Sequence, residues 1–269
     1  MKRKRTGYEI VPFPRGRHAI VDSMIQAQRK RVAHALLEVD VTKARRYLGQ
    51  HRVRTGESLS FTAFIAACLA KAVDEDKHLH AYRKGRNRLV LFDDVDVSVL
   101  VEREVGGERM PLLPLVIRRA NRKTVEEIHH EIRSSQAREV EEPRGMWLYA
   151  ALPTFIRVLF WRTLNRNPDL MKRVAGTVSV SALGMFGRGA GWGIPLPLYT
   201  LALTVGGIAE KPGVVDGQVQ VREYLSLTIS MDHDVIDGAP AARFIRCLKE
   251  LVESGSGLPG HDSTSGDTG

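Results

Sequence analysis

An α+β fold with a mostly β C-terminal half is predicted, and three observations indicate it. Helix-like and strand-like segments do not alternate regularly, as they would in a doubly wound parallel sheet. Two long runs rich in β-branched and apolar residues, LYTLALTVGGI and VREYLSLTISMD, occupy the C-terminal half. A helical pattern, APAARFIRCLKELVE, closes the chain after them.

Apolar periodicity predicts the elements of the N-terminal third. RHAIVDSMIQAQRKR spaces Ile20, Met24 and Ala27 as the apolar face of a helix. HALLEVDVT is predicted to be a strand, and a helix follows it from near Thr42. Ser60 is placed to cap a second helix, FTAFIAACLAKAVDED, whose apolar residues are numerous enough to make it a core helix.

The middle of the chain is predicted to contain short strands and one more helix. RLVLF, VDVSVLVE and LLPLVI read as strands, the last two joined by a Gly-Gly turn. Asn121 or Thr124 opens a helix running to about Val140. GTVSVSALG is a strand predicted to end at Gly184, and EKPGVVDGQ is a hairpin-type turn between the two long β runs.

Composition excludes several classes of protein. With 43% hydrophobic residues in 269, the chain is not disordered as a whole, and two cysteines exclude a disulfide-built fold. Residues 1–14 form a basic segment, residues 15–253 the predicted single domain, and residues 254–269 a Gly- and Ser-rich tail predicted to be disordered. The formal charge of +9 fits nucleic acid, an anionic membrane surface or an anionic substrate, with ordinary surface charge as the alternative.

Neither a membrane span nor a metal site is predicted. Pro153, Arg157 and Arg162 interrupt the most apolar stretch, and no apolar signal core follows the basic N-terminus, so a cytoplasmic protein is expected. The adjacent His129 and His130 point apart on a helix and lack further ligands. The chain carries no recognisable nucleic-acid-binding motif, so nucleic acid is not an expected partner.

The most informative motif is SLTISMDHDVIDGAPAARF. It places His233 at the end of a long strand, with Asp237 four residues later and Gly238 beside it. A strand end holds a side chain firmly while leaving it open to a cleft, and the imidazole of histidine titrates near neutral pH, as a general base requires. A carboxylate at Asp237 can cap the following helix. A histidine satisfied within a turn is the alternative.

A second motif, GTVSVSALGMFG, places hydroxyls on one face of a strand. Alternation puts Thr177, Ser179 and Ser181 on one side and the two valines on the other. Such a hydroxyl can donate a hydrogen bond to a developing oxyanion. Hydroxyl-bearing faces are also common on half-exposed strands, so the motif alone is weak.

Together, these two motifs resemble the catalytic domain of dihydrolipoamide acyltransferases, the core components of 2-oxo-acid dehydrogenase complexes and relatives of chloramphenicol acetyltransferase. The family signature His-x-x-x-Asp-Gly stands here from His233 to Gly238. The family segment Gly-Thr-Phe-Thr-Ile-Ser-Asn-Leu-Gly resembles GTVSVSALG, and RHAIVDSM, EVDVTKA and LVIRRANRKTVEEI resemble earlier family segments. The resemblance covers about residues 15–253. It implies the two-layer coenzyme A-dependent acyltransferase fold, with a mixed sheet and helices on one side.

The resemblance implies acyl transfer between the thiol of coenzyme A and that of dihydrolipoamide or a similar carrier. His233 would be the general base, and Ser181 the oxyanion donor with Ser179 and Thr177 as alternates. Asp237 would order the turn, held by an arginine for which Arg17 is the candidate. Acyl-CoA would be a substrate and no metal would be needed. A homotrimer or a multiple of it is implied, with Ser181 and His233 from neighbouring chains.

Three departures from the family pattern bear on substrate and assembly. The chain has no room for a lipoyl domain, so no lipoyl group is expected on it, and a lipoyl or phosphopantetheine carrier would act in trans. Arg31-Val32 replaces the family's Pro-His pair. Residues 145–173 are longer and more apolar than the family's segment, and are predicted to form a wall of the acyl channel, with a core helix or a membrane-surface helix as alternatives.

Two other function classes remain open at the level of sequence. A non-catalytic trimeric scaffold of a dehydrogenase-type complex would keep the fold without turnover. A nucleic-acid binder is supported by charge alone.

Overall fold

The chain folds around a six-stranded mixed sheet. A computed structural model describes residues 7–11, 13–14, 17–100, 102–105, 108–111, 114–137, 148–149, 151–182 and 189–259. Its strands and helices form an α+β arrangement. The predicted fold class is therefore confirmed.

The helices and strands follow one another along the chain with these bounds. They are α1 (Arg17–Ala27), β1 (Val32–Asp40), α2 (Thr42–Thr55), α3 (Phe61–Asp74), β2 (Tyr82–Arg83), β3 (Leu89–Val90), β4 (Val97–Val99), β5 (Glu102–Val105), β6 (Glu108–Pro111), β7 (Leu115–Ile117), α4 (Val125–Ala137), α5 (Thr154–Arg166), α6 (Pro168–Ala175), β8 (Val178–Ala182), β9 (Leu201–Val215), β10 (Gln218–Asp232) and α7 (Gly238–Ser254). Short 3₁₀ turns lie at Lys77–His80 and Ala120–Arg122.

The order of strands across the main sheet is β1-β10-β9-β8-β4-β7. The pairs β1/β10, β10/β9 and β4/β7 are antiparallel, whereas β8 is parallel to both β9 and β4. Separate two-stranded ladders join β2 to β3 and β5 to β6. The long β9–β10 hairpin therefore forms the centre of the sheet, and the C-terminal end of β10 lies beside the start of β1.

The core lies between one face of the sheet and the helices α2, α3, α4 and α7. Leu225, Leu227 and Ile229 of β10 are fully buried in one cluster with apolar residues of α3 and α7. The intervening residues of β10 are Ser226, Thr228 and Ser230, so strict alternation separates an apolar face from a hydroxyl-bearing face. A smaller cluster packs α5 and α6 against β2.

Several predicted helix ends are confirmed by their hydrogen bonds. Helix α2 begins at Thr42. The Ser60 hydroxyl caps α3 by accepting a hydrogen bond from the Ala63 amide at 3.4 Å. Thr124 and Glu127 form a reciprocal capping box at the start of α4.

The predicted apolar face of α1 is confirmed at Ala27, which is buried, but is wrong at Met24. The buried residues of this helix are Asp22, Ser23, Gln26 and Ala27, whereas Met24 is 37% exposed. The reason is the partner that covers the helix: α1 packs against α5 and its preceding segment, which present polar groups to it.

Two boundaries also differ from expectation. Strand β9 continues through Lys211, Pro212 and Gly213 to Val215, and the turn consists of Asp216-Gly217 alone, both with positive φ. At the C-terminus, residues 255–259 are packed on the domain, because Leu258 is buried in the core, so the predicted tail starts too early. The Gly-Gly turn after β5, the predicted strand end at Gly184 and residues 260–269 lie outside the described residues.

A buried histidine, His80, connects the 3₁₀ turn after α3 to β8. Its Nδ1 atom hydrogen-bonds with the Thr177 hydroxyl at 3.0 Å, and its Nε2 atom is buried without a hydrogen-bond partner among the described residues. Burial, followed by the nearby Lys172 charge, lowers the pKa of His80 to about 4. The folded protein therefore holds this imidazole neutral at pH values where an unfolded chain would protonate it.

We expect stability to fall as the pH drops from 6.5 to 4, because in this window the unfolded chain binds a proton at His80 and the folded chain does not. Above pH 6.5 neither state is protonated and the contribution is fully present. The loss is about 3 kcal/mol. Urea unfolding of His80→Gln across this window should show a shallower pH slope, whereas His130→Gln on the exposed side of α4 should keep the wild-type slope. An unchanged slope in His80→Gln would contradict this assignment.

Candidate active site

The end of β10 presents His233 in a turn that the sheet holds in place. The His233 amide donates a hydrogen bond to the Arg31 carbonyl at 2.7 Å, one residue beyond the last β1–β10 pair, Val32 with Asp232. The imidazole itself remains 58% exposed. Backbone pairing therefore positions the histidine while leaving its ring accessible, as the sequence predicts.

Cations flank His233 on both sides through its neighbouring carboxylates. Lys30 Nζ lies 2.7 Å from Asp232 Oδ2. Arg31 and Arg83 both hydrogen-bond the Asp234 carboxylate, and the bond from Arg31 is the main cause that lowers the pKa of this carboxyl below its usual value. Sequence reasoning missed these three basic residues. The only sequence signal for them is Arg31, which departs from the family pattern.

Asp237 lies near His233 but does not cap the helix as predicted. Its Oδ1 atom is 4.0 Å from the His233 Nδ1 atom, and its side chain is 86% exposed. Asp237 occupies the N-cap position of α7 without a capping side-chain hydrogen bond. Arg17 begins α1 as an exposed residue, and within the described ranges its side chain makes no ion pair with Asp237. The structure therefore brings His233 and Asp237 together, but not Arg17.

Strand β8 presents Ser179 and Ser181 opposite the buried Val178 and Val180. The predicted alternation of these four residues is seen in the structure. Within the part of the chain that is described, the half-buried Ser181 hydroxyl has no hydrogen-bond partner.

Ser181 belongs to a row of hydroxyls that crosses three strands. It pairs with Thr204 of β9, which pairs with Thr228 of β10. Both threonine hydroxyls are buried and lack a partner among the described residues. The alternating pattern of the segments LALTV and SLTIS places these threonines on the hydroxyl-bearing face. Only the strand register shows that the hydroxyls are adjacent.

Thr177 differs from the two serines because its hydroxyl is engaged. It donates to the Asp96 carbonyl at 3.2 Å, accepts from the Asp96 amide at 3.1 Å and contacts His80. This hydroxyl stabilises the entry into β8. Ser179 and Ser181 are the hydroxyls left to act on a ligand.

Within one chain, Ser181 and His233 are far apart. The Asp232 amide bonds the Thr200 carbonyl, whereas Ser181 pairs with Thr204. This difference corresponds to roughly 13 Å along the strands, and two strand spacings add about 10 Å across the sheet. A serine and an imidazole cannot close that separation. The two residues can share a reaction centre only if they come from different chains.

Residues 189–193, a segment with three glycines, lie against the hydroxyl-bearing face of the sheet. The Gly191 amide donates to the Ser226 hydroxyl at 3.3 Å, and the Gly191 carbonyl accepts from the Gly207 amide at 3.0 Å. A Cβ atom at Gly206 or Gly207 would collide with this segment's backbone. Glycines in β9 are therefore required by close backbone approach.

Helices α5 and α6 occupy most of the segment 145–173. Pro153 is the N-cap residue of α5. The buried Asp22 carboxylate of α1 accepts a hydrogen bond from the Tyr149 hydroxyl at 2.6 Å and lies 3.4 Å from Arg157 Nε. The Trp161 indole donates to the same Tyr149 oxygen at 2.8 Å. Burial and the Asp22 hydrogen bond raise the pKa of Tyr149 to about 12. A buried polar network thus fastens the segment to α1.

Neither a metal-binding cluster nor a membrane-spanning helix is found in the described parts of the chain. There, no three His, Cys, Asp or Glu side chains lie close enough together to hold a metal ion. No helix in the same ranges has the length and apolarity needed to cross a bilayer.

Comparison with known proteins identifies similar sequences and folds. A model of the family described as 2-oxoacid dehydrogenases acyltransferase (catalytic domain) matches residues 5–142 and 163–258, and leaves 143–162 unmatched. The lipoamide acyltransferase component of the branched-chain alpha-keto acid dehydrogenase complex of Bacillus subtilis is 27% identical, over 92% of this chain and 53% of that protein. The chain thus spans about half the length of this relative.

Two solved structures share the fold. A probable dihydrolipoamide acetyltransferase from Listeria monocytogenes aligns with a TM-score of 0.69 and 24% identity, covering 94% of this chain and 97% of that one. The dihydrolipoamide acetyltransferase of Azotobacter vinelandii aligns with a TM-score of 0.66 and 20% identity, covering 91% of each. That structure was solved to investigate a serine, a histidine and an asparagine in the catalytic mechanism.

Removing the Asp22 charge should weaken the packing of α5 against α1. We expect Asp22→Asn to lower the free energy of unfolding by about 3 kcal/mol, because Arg157 would remain buried without its counterion. Asp93→Asn is the matched control, since the Asp93 carboxylate is exposed and its surface ion pair contributes about 0–1 kcal/mol. Urea unfolding measures both values. Equal effects of the two variants would show that the network does not hold the segment.

Proposed function

The chain belongs to the 2-oxoacid dehydrogenase acyltransferase (catalytic domain) family, and from this premise we propose that it transfers an acyl group between coenzyme A and a thiol carrier, dihydrolipoamide or a comparable thiol. The observation that carries the proposal is His233, which the end of β10 holds by its backbone while its ring stays accessible. The thiol of the carrier belongs to a lipoyl or phosphopantetheine group.

In the proposed mechanism, the His233 imidazole accepts the proton of the attacking thiol. The thiolate sulfur then bonds to the thioester carbonyl carbon, and the resulting oxyanion accepts a hydrogen bond from the Ser181 hydroxyl. When the tetrahedral intermediate collapses, the carbon–sulfur bond of the leaving thiolate breaks, and the imidazolium returns the proton to that thiolate. The Asp237 carboxyl group, whose Oδ1 atom lies 4.0 Å from His233 Nδ1, is beside the ring during this step.

The spacing of these residues supports the assignment. In the Azotobacter vinelandii enzyme, the serine and the asparagine stand at the same sequence distances from the histidine as Ser181 and Asp237 do from His233. Aspartate replaces asparagine at the third position. Ser181 is therefore a better candidate than Ser179 for the oxyanion donor.

The separation of Ser181 from His233 supports a site formed between chains, in a homotrimer or a multiple of one. A single chain also leaves the imidazole exposed to water, whereas an oxyanion hydrogen bond gains strength when water is excluded. Helix α1 carries the exposed apolar side chains Val21, Met24 and Ile25, which a second chain would cover.

We expect His233→Ala to abolish thioester exchange between an acyl-CoA and dihydrolipoamide. Ser181→Ala should lower kcat by roughly 10²–10³ with little change in KM, because the lost hydrogen bond forms mainly with the oxyanion. Ser179→Ala is the matched control on the same strand face and should stay near wild type. If Ser179→Ala shows the loss instead, the oxyanion donor is misassigned. A wild-type protein without exchange activity would favour the non-catalytic trimeric scaffold.

Mixing inactive His233→Ala and inactive Ser181→Ala chains should restore part of the activity. Dissociation and reassembly would create interfaces at which one chain supplies an intact His233 and its neighbour an intact Ser181. Native mass spectrometry would confirm mixed oligomers, and thioester exchange would report the rescue. Confirmed mixed oligomers without activity would contradict a site shared between chains.

A further inference from the structure

A cavity of about 520 Å³ opens beside the turn that carries His233. Asp232, Asp234 and Val235 line it, so it borders the chain immediately before and after the histidine. Its volume lies within the range of small-molecule sites. Its opposite side is formed by α1 and α5.

The cavity has an excess of positive charge. Five basic side chains line it, namely Arg29, Lys30, Arg83, Arg162 and Arg166, against the carboxylates of Asp232 and Asp234. Both carboxylates are already neutralised, one by Lys30 and the other by Arg31 and Arg83. A ligand entering the cavity therefore meets cations rather than free carboxylates.

Three of the lining arginines are without an anionic partner in the described structure. Arg29 follows α1, whereas Arg162 and Arg166 lie four residues apart on α5 and so on one face of that helix. Asn165 between them bonds Gln26 of α1 at 3.4 Å, which sets the orientation of this face. Guanidinium groups at this spacing suit bidentate binding of phosphate or carboxylate oxygens.

The rest of the lining includes apolar side chains. Tyr82, Met171 and Leu198 also line the cavity. An apolar wall with a cationic rim fits a ligand whose uncharged chain ends in an anionic group. Such a chain occurs both in the phosphorylated pantetheine arm of coenzyme A and in an acyl group that ends in a carboxylate.

Part of this cationic rim comes from the segment that the family pattern does not match. The unmatched residues 143–162 include Arg162 and most of α5, and the buried network of Asp22, Tyr149 and Arg157 holds them against α1. The added helix thus contributes charge next to the proposed reaction centre.

We propose that this cavity binds the anionic group, a phosphate or a carboxylate, of the thioester substrate, and that Arg162 and Arg166 determine its specificity. The proposal rests on the acyltransferase function proposed above, because that function supplies a thioester beside His233. The two arginines bind and orient the substrate and take no part in proton transfer.

The test is equilibrium binding by calorimetry without an acceptor thiol, on wild type and on Arg162→Gln/Arg166→Gln. The ligands are coenzyme A, dephospho-coenzyme A and pantetheine, followed by succinyl-pantetheine and butanoyl-pantetheine. Arg173→Gln, an exposed arginine of α6 outside the cavity, is the matched control. We expect the double variant to weaken the anionic ligand at least tenfold, with an unchanged Tm and unchanged Kd for the uncharged ligands.

The two sources of the anion give different results. Weakened coenzyme A binding with unchanged pantetheine binding identifies a phosphate, and weakened succinyl-pantetheine binding with unchanged butanoyl-pantetheine binding identifies a carboxylate. Wild-type Kd values for every ligand in the double variant, an equal loss in Arg173→Gln, or no binding to wild type would overturn the proposal. Thioester exchange on the same samples is a separate readout. If exchange occurs but ligand binding does not depend on the two arginines, only this proposal is overturned. If binding depends on the arginines but no exchange occurs, only the acyltransferase function is overturned.

Discussion

The hydrogen bond from the His233 amide to the Arg31 carbonyl is the contact on which the arrangement of the candidate site depends. It extends the pairing of β10 with β1 by one residue past Asp232, so the position of His233 follows from the register of the two strands. The basic residues before β1 then reach the carboxylates on either side of the histidine. A change of register by one residue would turn the imidazole to the other face of the sheet.

The same strand end organises the electrostatics around the histidine. Lys30 pairs with Asp232, and Arg31 and Arg83 both pair with Asp234, so these ion pairs fix the turn and leave one net positive charge there. The unpaired arginines of the cavity lie just after α1 and on α5. Positive potential near the site favours thiolates and oxyanions, which are the charges that develop during acyl transfer.

Elements governed by local rules could be predicted from the sequence, and those governed by distant partners could not. Strand alternation predicts Ser181 opposite Val180, and the capping residue Ser60 predicts the start of α3. The prediction for the buried face of α1 failed because Tyr149, the partner of Asp22, lies 127 residues away along the chain. The predicted position of the turn between β9 and β10 failed for a different reason. Pro212 and Gly213 are turn formers, but the hydrogen-bonded ladder with β10 outweighs their preference, and the turn forms at Asp216-Gly217.

The buried network of Asp22, Tyr149 and Arg157 fixes the orientation of α5, which apolar contacts alone would not do. An ion pair buried as deeply as Asp22 with Arg157 contributes little net stability, since desolvation offsets most of the attraction. Its geometry is specific, however, because a displaced helix would leave either charge buried and unpaired. Apolar packing alone would tolerate rotation of α5, whereas this network allows one orientation. That orientation places Arg162 and Arg166 on the cavity, and it leaves Phe155 and Leu159, which lie on the same face nearer the start of the helix, exposed. The network therefore determines which face of α5 the candidate site meets, and through it the charge that a substrate encounters.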